Sequence, residues 1–391
     1  MICAVVALLL CRAGMLPLYI GQRMARFWCS TAGMVGYYLT LLLWHRKKRA
    51  FLDIACIHQT DPVLKAEGLI SMGAFLKNSE SFLVLWDTTY ISRLWCMFEM
   101  AAFLHNMGLG THRDKFLVVC PVFVGPAFLL GQLGLNVVVL AFLVFVEIPF
   151  FPWAAVFISG LTFPCFTLLT DLMLAHCRSI DTVQNQVRRF AIEDSLCYCC
   201  SCGHVDKRTG VEMNCDRKPI LHCITAWFGS VEHFETVVRG KVLTALVHQL
   251  ANNVFSYQRL VYALCPVIWL YMDLMTSAPD WEVVVELSLS ACSYYLMVLP
   301  SLALLVLRLA YRLRKVAFPG WCCNLLLSTG LVAVGATAFA ICFSVSAILA
   351  GLSNRHFQSH IPANAAVLAV TTVVALLLWR CLPVDAISTP D

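Results

Sequence analysis

The sequence predicts a multi-pass α-helical membrane protein of seven or eight helices, carrying a partial α/β, flavodoxin-like insert on its cytoplasmic side. Three observations predict it. Of 391 residues, 60% are hydrophobic and only 13% charged, against about 45–50% and 25% in an ordinary soluble domain. The apolar residues gather in runs of about 20, long enough to cross a bilayer as helices that satisfy their own backbone hydrogen bonds. Two intervening stretches, 49–115 and 178–257, are polar enough to stand in water.

Taken in order, residues 1–21 open with Met1 to Leu10 and then Arg12, which resembles a signal anchor more than a cleavable peptide because no basic n-region precedes the apolar run. The first good span, 28–44, is closed by His45-Arg46-Lys47-Lys48-Arg49. Two more spans fit between 126 and 175, with a break near Pro149 and Pro152. The last four cover 259–276, 283–307, 321–350 and 363–382. The expected organisation is therefore an N-terminal anchor of one or two helices (1–48), a partial α/β domain (49–124), a membrane helix pair (125–177), a Cys-rich insert with an amphipathic helix (178–257) and a four-helix membrane region (258–391).

Basic clusters beside apolar runs mark cytoplasmic helix ends. The cluster after Trp44 and the one from Arg308 to Lys315 place both inserts and the C-terminus in the cytoplasm and 276–281 outside. The net charge of +5 is modest and the basic runs are short, so the bilayer is the expected partner and nucleic acid is not.

The first insert has an α/β pattern. Residues 50–55 read as a short strand interrupted by Asp53. Asp61 offers an N-cap with Pro62 at the first helical position, and Leu69, Met72 and Leu76 follow at helical spacing. The apolar run 82–86 reads as a parallel strand covered on both faces. Ser92 is positioned to cap the next helix, whose Leu94, Met97, Phe98, Ala101 and Leu104 form one apolar stripe. A third strand over 116–123 completes strand–helix–strand–helix–strand, the order of a doubly wound sheet. It also leaves residues for only two membrane spans before Arg178.

The segment Tyr90-x-Ser92-x-x-Trp95-Cys96-x-x-Glu99-Met100 resembles a segment of TIR (Toll/interleukin-1 receptor) domains, the plant-type ones in particular. Phe51-Leu52-Asp53-Ile54-Ala55-Cys56-Ile57-His58-Gln59 is similar to the second strand of that fold and to a motif of heterokaryon-incompatibility domains, which are distant relatives. Cys120-Pro121-Val122-Phe123 looks like the fourth strand. The combination further resembles a protist (dinoflagellate-like) group of multi-pass membrane proteins, over about 70 residues of the chain. The resemblance implies a signalling module that self-associates through TIR–TIR contacts, with NAD as its substrate and Glu99 as the residue cleaving the nicotinamide–ribose bond. Trp95, Asp53, Asp87 and Ser92 would then line the substrate pocket. A carboxylate suits that chemistry because bond cleavage develops oxocarbenium charge. No match to the family's first strand precedes Phe51; either that strand is displaced upstream or the domain is degenerate. In the latter case Glu99 is a helix-surface carboxylate paired with a cation such as Arg93, and Asp53 a loop-organising residue.

The second insert crowds Cys197, Cys199, Cys200, Cys202 and His204 together, with Cys215, His222 and Cys223 following. Cys199-x-x-Cys202 with His204 and Cys215 has the spacing of zinc ligands, since four soft ligands can reach one tetrahedral ion from a tight loop. Palmitoylated or plain reduced cysteines fit the same residues. Further on, Val231, Phe234, Val238, Val242, Leu246 and Leu250 share one helix face that either docks on the α/β insert or lies on the membrane surface. Glu147, Asp171, Asp273 and Glu286 lie in or beside apolar runs, where a carboxylate is expensive. Glu147, Asp171 and Asp273 sit near helix ends, where they can reach the interface, and Glu286 one turn into its helix; these places, and the lack of a duplicated interrupted helix pair, favour an anchor or scaffold over a transporter.

Overall fold

The computed structural model describes residues 1–17, 19–20, 23–24, 27–44, 49–58, 61–108, 116–145, 151–205, 210–316 and 320–381. Residues 45–48 of the basic cluster, Glu147 and the expected break at Pro149 lie outside them. The chain forms two compact units. One comprises Met1–His45, Phe123–Arg178 and Phe255–Pro383; the other comprises Arg46–Val122, Ser179–Val254 and Val384–Asp391.

Among the described residues the first unit is helical apart from its turns and a two-residue antiparallel pair, Tyr19–Ile20 with Arg23–Met24. Five helical stretches among the described residues are long and apolar enough to cross a membrane: Val124–Leu143, Val231–Thr276, Trp281–Leu313, Cys322–Phe357 and Ile361–Cys381. Of the second stretch, Tyr257–Ala263 and Cys265–Thr276 belong to this unit. Ile2–Arg12 and Trp28–Leu43 are shorter, with 11 and 16 residues. Phe151–Arg188 runs for 38 residues around an internal Pro164.

Several charged side chains in this unit meet the ends of other helices. Asp273 lies in the last turn of the helix Cys265–Thr276 and is fully buried. Its two oxygens accept from the Cys29 and Ser30 amides at 2.6 and 2.8 Å, capping the helix Trp28–Leu43 from 244 residues away. A carboxylate is stabilised there because the first amides of a helix have no partner within it and carry its positive dipole end. Glu286 does the same for Ile361–Cys381, accepting from the His360 amide at 3.0 Å, while Glu282 accepts from the Ser359 hydroxyl at 2.6 Å. Asp171 accepts from the Ser328 hydroxyl at 3.2 Å. Close packing accompanies the caps: a Cβ on Gly33 would fall 2.5 Å from the Trp269 ring, so only glycine lets these two helices approach.

These contacts fix which helix ends lie together. Trp28–Leu43 runs antiparallel to Cys265–Thr276, with Asp273 at its start and Trp269 against Tyr37 further along. At one end of the unit His176 packs against Phe123 and Phe255, with ring centroids 4.8 and 6.1 Å apart. There Arg178 donates to the carbonyls of Arg314 and Val316 and to Asn324 Oδ1. Tyr257 meets Trp379 at 5.3 Å. At the opposite end Arg12 donates to the Ala278 carbonyl at 2.6 Å, and Glu282 meets Ser359. Phe123, His176, Arg178 and Phe255 therefore gather at one end of the helical unit.

The second unit is smaller in sheet than a flavodoxin-like fold. Two strands, Ser81–Trp86 and Phe116–Pro121, pair in parallel from Ser81 with Phe116 to Trp86 with Pro121. The strand expected over 50–55 is a helical turn, Asp53–Cys56, preceded by extended Leu52. Asp53 bears on the difference: a carboxylate in the first turn of a helix is favoured by the helix dipole, whereas in a strand it would interrupt an apolar face. Asp61 caps Pro62–Asn78 as expected, accepting from the Val63 and Leu64 amides. Met72 and Leu76 are buried; the side chain of Leu69 lies outside the described residues. Val84, Trp86, Val119 and Pro121 are buried against the helix side of the sheet. The opposite face, expected to be covered, exposes Leu83, Leu85, Phe116 and Val118.

The helix Leu94–Gly108 is the core of this unit: Leu94, Met97, Met100, Ala101, Ala102 and Phe103 are at most 2% exposed. The second insert builds on it. The Leu94 amide donates to the Leu196 carbonyl at 3.0 Å, and the Leu196 amide to the Ser92 carbonyl at 2.5 Å. The turn from Phe190 to Ser195 is held from two helices. Arg217 donates to the carbonyls of Glu193 and Ser195, Arg239 donates to that of Phe190, and Glu235 accepts from the Ile192 amide.

The amphipathic helix docks as core within this unit, with Phe234, Val238, Val242, Leu246 and Leu250 all buried. Their spacing of four would drift about 40° per step around an α-helix. Wider π-helical turns at Val238–Val242 and Gln249–Asn253 oppose the drift and keep the stripe on one side. At its end, Gln249 accepts from the Val119 amide at 2.7 Å and donates to the Leu117 carbonyl at 2.6 Å. One amide side chain thus occupies the free edge of the strand as a neighbouring strand would.

Candidate functional site

Glu99 sits half-buried on Leu94–Gly108. Burial pushes its carboxyl up to about 7; the charge of Asp53 adds to the rise and Arg93 opposes it. Cys96, one turn away, is pushed up to about 11, first by burial, with Arg93 lowering it and Glu99, Asp87 and Asp53 raising it. Tyr90 is raised in the same way, by burial and then by Cys96 and Glu99. Asp53, Asp87, Tyr90, Arg93, Cys96 and Glu99 therefore share one electrostatic neighbourhood, in which burial and the Asp53 carboxylate raise Glu99 and the Arg93 guanidinium opposes the rise.

The other residues expected around Glu99 are engaged as follows. Asp87 Oδ1 accepts from the Thr89 amide and hydroxyl, both at 2.8 Å, and lies 3.5 Å from Arg93. Against partial burial, these contacts hold its carboxyl below the ordinary value. Ser92 does not cap the helix: its hydroxyl donates back to the Thr89 carbonyl at 2.7 Å, inside the short turn Tyr90–Ser92. Trp95 donates its indole N–H to Asp216 Oδ2 at 3.2 Å and packs edge-on to Phe98, which stacks on Trp227. The side chain expected beside Glu99 is thus tied to the second insert.

Asp216 borders a group of soft ligands. The Sγ atoms of Cys199, Cys200 and Cys215 and a ring nitrogen of His204 all lie within 4.8 Å of one another. Cys200 Sγ is 3.6 Å from Cys215 Sγ and 3.8 Å from His204 Nε2. The loop closes on itself because Gly203 and His204 both adopt left-handed backbone, with φ of 66° and 61°. The His204 amide donates to the Cys199 carbonyl at 2.8 Å, and the Met213 amide to the His204 carbonyl at 2.7 Å. The hydrogen bond from His204, followed by the Arg217 amide, lowers the Cys215 thiol. Of the four ligands expected from spacing, Cys199, His204 and Cys215 are together. Cys202 stands apart, its sulfur 4.0 Å from Ser201 Oγ, and Cys200 takes its place.

Cys200 and Asp216 are the residues that spacing did not single out in these roles, whereas Arg93 was named as a partner of Glu99. The double cysteine Cys199-Cys200 was the available signal, overshadowed by the Cys199-x-x-Cys202 pattern. No family model matches the chain, and no similar curated protein or solved structure was found.

Proposed function

We propose that this chain is a membrane-anchored signalling protein whose second unit carries a TIR-like site, with Glu99 as the carboxylate that cleaves the nicotinamide–ribose bond of NAD. The observation that carries the reading is the setting of Glu99, half-buried beside Asp53 with Arg93 as counter-charge. The chemistry asks little more. Nicotinamide leaves as a neutral base, taking the bonding electron pair onto its ring nitrogen, so no acid has to protonate it. A carboxylate close to the ribose stabilises the developing oxocarbenium charge, and water then adds and loses its proton. The helix end bearing Arg178, Arg308, Arg312, Arg314 and Lys315 is assigned to the cytoplasm by the positive-inside tendency, which puts both inserts there.

The test is incubation of membranes containing the full-length protein with NAD, beside Glu99→Ala membranes, following nicotinamide release. Release that drops to background in the variant is the expected outcome. Equal NAD loss in both removes the enzymatic reading. A second reading, an interaction scaffold, is favoured by the uncovered sheet face of Leu83, Leu85 and Phe116, each more than half exposed. It predicts that crosslinking between copies of the chain is lost in Leu85→Lys. The face formed by Leu94, Met97 and Ala101 is not available for such contacts, because it is buried in the unit's own core.

A further inference from the structure

From the geometry of the Cys-rich loop we infer that Cys199, Cys200, His204 and Cys215 form a structural zinc site that ties the second insert to the helix carrying Glu99. Tetrahedral zinc with Zn–S of about 2.3 Å and Zn–N of about 2.0–2.1 Å sets its ligands about 3.8 Å apart for two sulfurs and about 3.6 Å for sulfur and nitrogen. Cys200 stands 3.6 Å from Cys215 and 3.8 Å from His204, so two of the six separations already have these values. No pair exceeds 4.8 Å, and the widest must close by only about 1 Å to reach the ideal. Three thiolates and one imidazole are a donor set that favours zinc over calcium or magnesium, which prefer oxygen. With four protein ligands the site is closed, as structural sites are, and leaves no position for catalysis.

The surroundings supply outer-shell contacts. The Asp216 amide donates to Cys199 Sγ at 3.4 Å, an N–H···S bond that stabilises a thiolate, while the Asp216 carboxylate holds the Trp95 indole. Asp216 thus joins the metal loop to Leu94–Gly108 within one compact unit. A second grouping, Cys197, Cys199 and Asp216, shares Cys199. It offers two sulfurs rather than three, and one of its carboxylate oxygens already receives Trp95. Cys199 is buried while Cys200, His204 and Cys215 are half-exposed, which leaves a path for the ion to enter. The inference does not depend on any activity at Glu99.

The experiment is metal analysis of the reduced full-length protein in detergent after dialysis against metal-free buffer, together with cobalt(II) added to the zinc-stripped protein. About one zinc per chain is expected, along with intense thiolate-to-cobalt charge transfer and a change in Trp95 fluorescence as the loop closes. Cys200→Ser and His204→Ala should lower the zinc content at least tenfold, while Cys202→Ser retains it. No bound zinc and no cobalt charge transfer in the unsubstituted protein would overturn the site, whatever the variants do. Loss of zinc in Cys202→Ser with retention in Cys200→Ser would overturn the assignment of Cys200.

Discussion

The two units treat a buried carboxylate in opposite ways. In the helical unit Asp273 is out of reach of solvent, yet both its oxygens receive backbone amides at 2.6 and 2.8 Å, and Glu286 receives the His360 amide. In the second unit Glu99 is only half-buried, but its strongest charged neighbour is another carboxylate, Asp53. A carboxylate in an apolar setting is therefore not a functional signal by itself; what faces it decides. Asp273 and Glu286 replace the missing first-turn partners of other helices, which is architecture. Glu99 is held where a proton or a developing positive charge would relieve it, which is what the role proposed for it at the ribose requires.

The sharpest way to break this comparison is to remove Asp273. Asp273→Ala leaves two helix amides buried without an acceptor, at about 1–3 kcal/mol each. The full-length protein in detergent should lose on the order of 4 kcal/mol, visible as a large drop in its thermal midpoint. Asp273→Asn keeps one acceptor oxygen and should lose about half as much. If Asp273→Ala melts with the unsubstituted protein, the carboxylate is not a cap.

The second prediction concerns Glu99 and is smaller. Its folded pKa is raised to about 7 from an ordinary 4.5. Between those values the folded state holds a proton that the unfolded chain has released, so this contribution to stability falls as the pH rises through that window and is flat above it. The loss is on the order of 2–3 kcal/mol once solvent screening of a half-exposed group is allowed for. Glu99→Gln, which cannot ionise, should flatten the decline between about pH 4.5 and 7. Chemical denaturation of the second unit across that range reads it directly. An unchanged slope in the variant would mean that Glu99 titrates normally.

The same contrast explains what could be seen in the residues beforehand. The membrane character, the Asp61 cap and the stripe from Phe234 to Leu250 were legible because each is local or periodic. Even the π-helical turns have a trace in that stripe, whose strict spacing of four exceeds the 3.6 of an α-helix. The cap by Asp273 was not legible, since its partners are 244 residues away. Nor was the exchange of Cys202 for Cys200, which goes with His204 adopting left-handed backbone, a conformation uncommon outside glycine. The strand expected over 50–55 is a helical turn instead because five apolar residues around Asp53 carry strand and helix signals alike.

The mildest test addresses how the second unit finishes the edge of its parallel pair, Ser81–Trp86 with Phe116–Pro121. Gln249 meets both the Val119 amide and the Leu117 carbonyl with one side chain, from a helix whose buried stripe fixes its position. Gln249→Leu would keep the helix packed while returning both backbone groups to the edge unpaired. Because the edge is only partly buried, water can replace part of what is lost. The expected cost is about 1–2 kcal/mol, with faster amide hydrogen exchange at Val119 than in the unsubstituted protein. Exchange that speeds up equally along Ser81–Trp86 would show the whole sheet opening instead. Unchanged exchange at Val119 would mean that the helix backbone, and not the Gln249 amide, protects the edge.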